Sequence, residues 1–213
     1  MTVPEGAGAT LAGALEPLYR SYLRRLDEMA ARLPAEALLT EQTTRGDDGR
    51  LVMGNDGLPL RLDVADARDG HTWEVHGAHP DAPAATAVRL GRLEVRIAPG
   101  NWEELPLVCV FDGEPLSEDA TALADLLRGF AMLAWYGAFS GAQPERGAPG
   151  ADRWSGRAHG FSVELRENEL WAVFDLGSCP PRALETLCAA LSGYCEERVP
   201  LAYLRIGGAP APA

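Results

Sequence analysis

Leu11, Leu15, Leu18, Tyr22, Leu26, Met29 and Leu33 recur at spacings of three and four, the period of a helix that buries one face. Pro17 interrupts this stripe. A proline is best tolerated in a first helical turn, so the helix is predicted from about residue 16 to residue 32, with Pro34 ending it. Residues 40–57, TEQTTRGDDGRLVMGNDG, are polar and turn-rich. The period then changes to two. Leu60, Leu62 and Val64 alternate within 58–65, and a second short strand is expected at 71–76, after a turn at 67–70. Residues 77–87 read as loop. In 88–97, Leu93, Val95 and Ile97 share one face while Glu94 and Arg96 share the other. Leu105–Phe111 is apolar on both faces, as a central strand covered on two sides would be.

Ser117, followed by Glu118 and Asp119, predicts a helix start with Ser117 as N-cap and acidic residues in the first turn. That helix is expected to run to about Ser140. It carries no charge from Gly129 onward, which predicts burial on most sides. A Gly-, Pro- and Ala-rich loop follows over 141–158. Strands are then expected at Phe161–Arg166 and Leu170–Leu176, a helix at Pro181–Glu197 and a last strand at Leu201–Ile206. The element order predicts a single α+β domain over 1–213, with a mostly antiparallel sheet and packed helices.

The second half repeats itself. Val110-Phe-Asp112 and Val173-Phe-Asp175 each end an apolar strand, and each leads through a corner into a helix. The helices carry Leu127-Arg-Gly-Phe130 and Leu191-Ser-Gly-Tyr194. A duplicated β-β-α unit, 88–140 and 159–206 joined by the loop 141–158, accounts for this order.

Charge narrows the function classes. The chain has 19 basic and 31 acidic residues, for a formal net charge of −12. Phosphate contacts need clustered basic residues, so nucleic acid is not the expected partner. Every basic residue is arginine; with abundant Ala, Gly and Pro, this fits the codon bias of a GC-rich bacterial genome. The longest uncharged apolar run, Gly129 to Gln143, is shorter than the roughly 20 residues of a spanning helix. With no secretory leader pattern at the start, a cytoplasmic protein without membrane association is expected. Cys109, Cys179, Cys188 and Cys195 form no CxxC pair, and buried reduced thiols are expected.

Three groups of residues invite chemistry. Three of the four histidines, His71, His76 and His79, fall within nine residues. Strand alternation puts His71 on the face opposite Glu74 and His76. Glu74, His76 and His79 therefore form the only candidate metal set, but their spacing matches no established ligand motif, so no metal and no cofactor is expected. Asp112 and Asp175, at repeat-related strand ends, are the candidate catalytic carboxylates; an Asp at such a corner also serves simply to accept turn N–H bonds. Cys179, at a helix start, is a candidate nucleophile, and His159 is the histidine that folding could bring to it. For binding, Trp154 with Arg153 and Arg157, and Trp102, are the loop residues suited to an interface.

These features predict a non-catalytic, acidic, protein-binding module that docks to a basic protein partner. A toxin-neutralising immunity protein or an effector chaperone or adaptor fits that class. The second reading is a metal-dependent or carboxylate-based hydrolase.

Overall fold

The computed structural model describes residues 10–54, 57–75, 86–140, 154–198 and 201–208. Three helices and two mostly antiparallel sheets make an α+β fold. The elements are α1 (Leu11–Ala30), β1 (Leu38–Thr40), β2 (Val64–Asp66), β3 (Thr72–Trp73), β4 (Thr86–Leu90), β5 (Leu93–Ile97), β6 (Leu105–Phe111), α2 (Ser117–Trp135), β7 (Gly160–Arg166), β8 (Glu169–Asp175), α3 (Pro181–Glu197) and β9 (Leu201–Ile206). A small sheet has the order β1-β2-β3, and a large one β4-β5-β9-β6-β8-β7. The β5–β9 pair is parallel and every other paired neighbour is antiparallel. Among the described residues, no helix is long and apolar enough to cross a membrane.

Helix α1 begins five residues earlier than its proline suggested. Thr10 is its N-cap and accepts from the Gly13 amide at 3.1 Å, and Pro17 lies inside it. An interior proline costs about 3 kcal/mol. Leu11 and Leu15, 2% and 0% exposed, each contribute about 1.5–3 kcal/mol by burial, enough to carry the helix through. The Ala12 amide also donates to Glu185 on α3 at 2.9 Å, fixing the end of α1 to its neighbour.

Helix α2 ends at Trp135 rather than near Ser140. Gly137 has φ +82°, the Ala138 amide donates to Leu133 and the Gly137 amide to Ala134. This is a Schellman stop, which a glycine just past the last turn permits. At the other end, Leu116 rather than Ser117 holds the N-cap position, and no side chain caps the helix.

One face of the large sheet packs into the main core. Leu93, Val95, Ile97, Leu105, Leu107, Leu170, Phe174, Leu204 and Ile206 meet the leucines of the three helices there. The other face of β6 is covered differently. Val108 and Val110 pack with Trp171 and Tyr203. Over them lie guanidiniums: Arg96 is 3.7 Å from the Tyr203 ring centre, and Arg205 and Arg166 lie 4.9 and 5.1 Å from the Trp171 ring. The fully buried β6 expected from its apolar run is therefore covered by helices on one side and by an aromatic and arginine layer on the other.

The two β-β-α segments share element order but not strand pairing. β7 and β8 form a hairpin, whereas β9 inserts between β5 and β6.

Candidate functional site

The small sheet brings three distant segments to one end. Thr40 pairs with Val64, so Glu41 and Asp63 leave β1 and β2 side by side, and the Glu41 amide donates to the Asp63 carbonyl at 3.0 Å. Val64 pairs in turn with Trp73, which brings Val75 back so that its amide donates to Asp63 Oδ2 at 2.7 Å. The hairpin β7–β8 abuts this end. Its register sets Gly160 opposite Asp175, and the His159 amide donates to the Asp175 carbonyl at 2.8 Å.

His159 is thereby enclosed by carboxylates. Its Nε2 lies 3.1 Å from Glu41 Oε1, and its Nδ1 lies 3.1 Å from Asp63 Oδ1 and 3.8 Å from Asp175 Oδ1. The imidazole is 2% exposed and Glu41 3%. Glu41 also accepts from the amides of Ser178, at 3.2 Å, and Ser155. Tyr22 on α1 donates to Asp63 Oδ1 at 2.5 Å, and Tyr19 donates to the Ser178 carbonyl at 3.2 Å. The network thus joins α1, the small sheet and the β7–β8 hairpin.

Electrostatics follow from this enclosure. Burial by itself works against a charged imidazole, but the charge of Asp175 and the pairing with Asp63 and Glu41 outweigh it and raise His159 to about 10. Burial likewise opposes the Glu41 carboxylate, yet His159 and the amide donors bring it down to about 2. Asp63 is also lowered; burial opposes that shift, and His159, Tyr22 and the Val75 amide drive it. Asp175 moves the other way, to about 7: burial raises it, His159 offsets part of that, and Asp63 and Glu103 add to the rise. At neutral pH an imidazolium lies between the Glu41 and Asp63 carboxylates, with Asp175 beside it.

Beside the network lies a cleft of about 640 Å³, in the size range of small-ligand sites. Its walls include Asp63, Asp175, Glu74, Glu103 and Glu104, together with Arg61, Thr44, Asn101 and His159.

The expected site residues fare differently. Asp175 reaches the cleft wall, but Asp112 does not join it. β6 and β8 are antiparallel, with Leu105 opposite Phe174 and Val110 opposite Glu169. Asp112 and Asp175 therefore stand at opposite ends of the sheet, roughly 20 Å or more apart, and cannot face one cleft. Cys179 is 0% exposed and burial pushes its thiol up, which is the wrong direction for a nucleophile. Glu74 lines the cleft, while His76 and His79 lie outside the described residues. His71 is exposed and stacks edge-on against Trp73 at 4.4 Å. Among the described residues, no three His, Cys, Asp or Glu side chains are placed to hold a metal ion.

Trp154 and Trp102, expected at an interface, lie inside. Trp154 is 5% exposed, with its Nε1 donating to Asp27 at 3.2 Å. Trp102 is 1% exposed and its ring centre lies 5.5 Å from that of Tyr19. Each indole has more apolar area to hide than a loop can shield, so the loops fold back onto the core. Arg157 is half-buried, and Arg153 lies outside the described residues.

Arg61 and Asp63 escaped the sequence reading because burial over residues 60–63 runs opposite to the expected alternation, and Glu41 because it lies in the polar, turn-rich stretch 40–57. Leu60 is 42% exposed, whereas Arg61 and Asp63 are 9% and 5% exposed. His159, noted only as a neighbour for Cys179, instead sits against Gly177, where a β-carbon would lie 2.4 Å from its ring. No protein-family model, curated protein or solved structure matches this chain.

Proposed function

We propose that this chain is a non-catalytic binding module whose acidic cleft receives a basic segment of a protein partner. The observation that carries this reading is the composition of the cleft wall, where Asp63, Asp175, Glu74, Glu103 and Glu104 outnumber Arg61 and His159. Carboxylates gathered along a concave wall concentrate negative potential there, which attracts a cation and repels an anion. The formal net charge of −12 adds a long-range term of the same sign. The buried network supports a binding role as well. An imidazolium held on both sides by carboxylates lacks the free lone pair a general base needs, and instead it stiffens the cleft floor. A toxin-neutralising immunity protein and an effector chaperone both belong to this class.

The test is a titration with a fluorescent arginine-rich peptide and an acidic peptide of equal length. Binding of the basic peptide alone, weakening with salt, is expected. Replacing two of the wall acids, Glu103→Gln and Glu104→Gln, should weaken it by about threefold to tenfold, mainly through slower association. Equal binding of both peptides, or binding indifferent to salt, would reject the reading.

A second reading rests on Asp175 alone. A carboxyl raised to about 7 at a cleft wall suits a general acid in a hydrolase. Under that reading, the protein turns over a hydrolysable substrate and Asp175→Asn abolishes that turnover, whereas the binding reading expects no turnover to lose.

A further inference from the structure

Arg61 has a position that an acidic binding cleft does not by itself explain. Its side chain lines the cleft and is 9% exposed. One guanidinium nitrogen, Nη1, donates to the Glu41 carbonyl at 2.6 Å, and the group stacks over Trp135, 4.6 Å from the ring centre. Trp135 is fixed in turn by its Nε1 donating to the Pro59 carbonyl at 3.1 Å. These contacts hold the guanidinium in place, and neither is with a carboxylate. Among the described residues no ion pair joins it to a carboxylate, and its buried Nε has no hydrogen-bond partner. The Thr44 hydroxyl, on the same cleft wall, also lacks one. Arg157 lies close enough to repel Arg61; burial first, and then that neighbour, lower the Arg61 guanidinium from its ordinary value, with Glu41 opposing.

Burying a cation without a counter-charge is costly, and buried arginines are normally paired with carboxylates or phosphates. This cleft holds carboxylates, yet none sits on Arg61. Among the described residues, the guanidinium and the acidic groups are thus kept apart within one concave surface. Such a separation suits a ligand carrying both signs of charge.

We infer that Arg61 is an anchor for a ligand carboxylate, and that the cleft takes a zwitterionic group whose cationic end meets the acidic wall formed by Glu74, Glu103 and Glu104. Two sources present that chemistry: a protein chain ending in a basic residue with a free C-terminus, or a free basic amino acid. The inference rests on the acidic-cleft reading and deepens it.

The experiment compares three probes on the full chain by calorimetry: an acetylated tetrapeptide ending in arginine with a free carboxylate, the same peptide amidated, and free L-arginine. A charge-assisted contact to a guanidinium predicts that amidation weakens binding about tenfold to a hundredfold. L-Arginine binding as tightly as the free-acid peptide assigns the site to the amino acid, and weaker binding assigns it to a chain terminus; either outcome supports the zwitterion. Arg61→Met, checked for folding by circular dichroism, should erase the difference between acid and amide. Because the two peptides are also compared on the unsubstituted protein, the result stands even if that variant does not fold. Equal binding of acid and amide overturns the Arg61 anchor and leaves the acidic-cleft reading in place. If neither peptide binds, both fall.

Discussion

His159 Nε2 and Glu41 Oε1 lie 3.1 Å apart inside the protein although 118 positions separate them in the chain. Removing one partner of such a buried pair leaves the other charged and unsolvated. His159→Ala is expected to cost about 3–5 kcal/mol. The double variant His159→Ala with Glu41→Gln should recover part of that loss, since the orphaned charge at Glu41 is then gone. Urea denaturation of the four proteins in the cycle measures this; additive losses would mean that the pair is not coupled.

Glu41, His159 and Asp175 set opposing pH trends. Glu41, lowered to about 2 from its ordinary 4.5, contributes stability that is complete above 4.5 and lost as pH falls through 2. His159, raised to about 10 from 6.5, contributes stability that is complete below 6.5 and lost as pH rises through 10. Asp175, raised to about 7 from 3.8, is different: the folded protein holds this proton more tightly than the unfolded chain, so stability declines as pH climbs from 3.8 through 7. The melting temperature should therefore drop between about pH 4.5 and pH 6.5, where Glu41 and His159 contribute no slope, and Asp175→Asn should flatten that drop. An unchanged slope in the variant would assign the decline to other groups.

Trp154→Ala removes a large indole from the core together with its bond to Asp27. Truncations of this kind cost about 3–5 kcal/mol. Thermal melting should show a loss of many degrees, in contrast to the near-zero change expected of an exposed interface residue.

Gly177 has φ +48°, and a β-carbon there would sit 2.4 Å from the His159 ring and 2.6 Å from the Arg157 carbonyl. Gly177→Ala combines backbone strain with overlap against a ring that the surrounding carboxylates hold in place. A loss of about 2 kcal/mol or more is expected. The His159 ring resonances should move in the NMR spectrum of the variant. If they stay put and stability is unchanged, the turn at 177 has more room than its geometry indicates.

Local pattern by itself determined most of the regular elements. The stripe Leu15, Leu18, Tyr22, Leu26 marked α1, and the alternation Leu93, Val95, Ile97 marked β5, because these periods arise from the geometry of one element facing one core. Boundaries were less legible: Thr10 and buried Leu11 moved the start of α1 past a proline, and Gly137 stopped α2 early. The candidate site was almost wholly a tertiary decision. Asp175 and Glu74 were noticed, but Glu41, Arg61 and Asp63 lie in or beside polar stretches where burial runs against residue type. Such positions are tolerated only when other segments supply partners: the Glu41 carbonyl and the Trp135 ring for Arg61, and opposite charge with hydrogen bonds for the two acids. His159, Ser155 and Ser178 supply them to Glu41, and Tyr22, His159 and Val75 to Asp63. Periodicity records which residues avoid water. It carries no record of which buried charges will meet, because that depends on how β1, β2 and the β7–β8 hairpin come together.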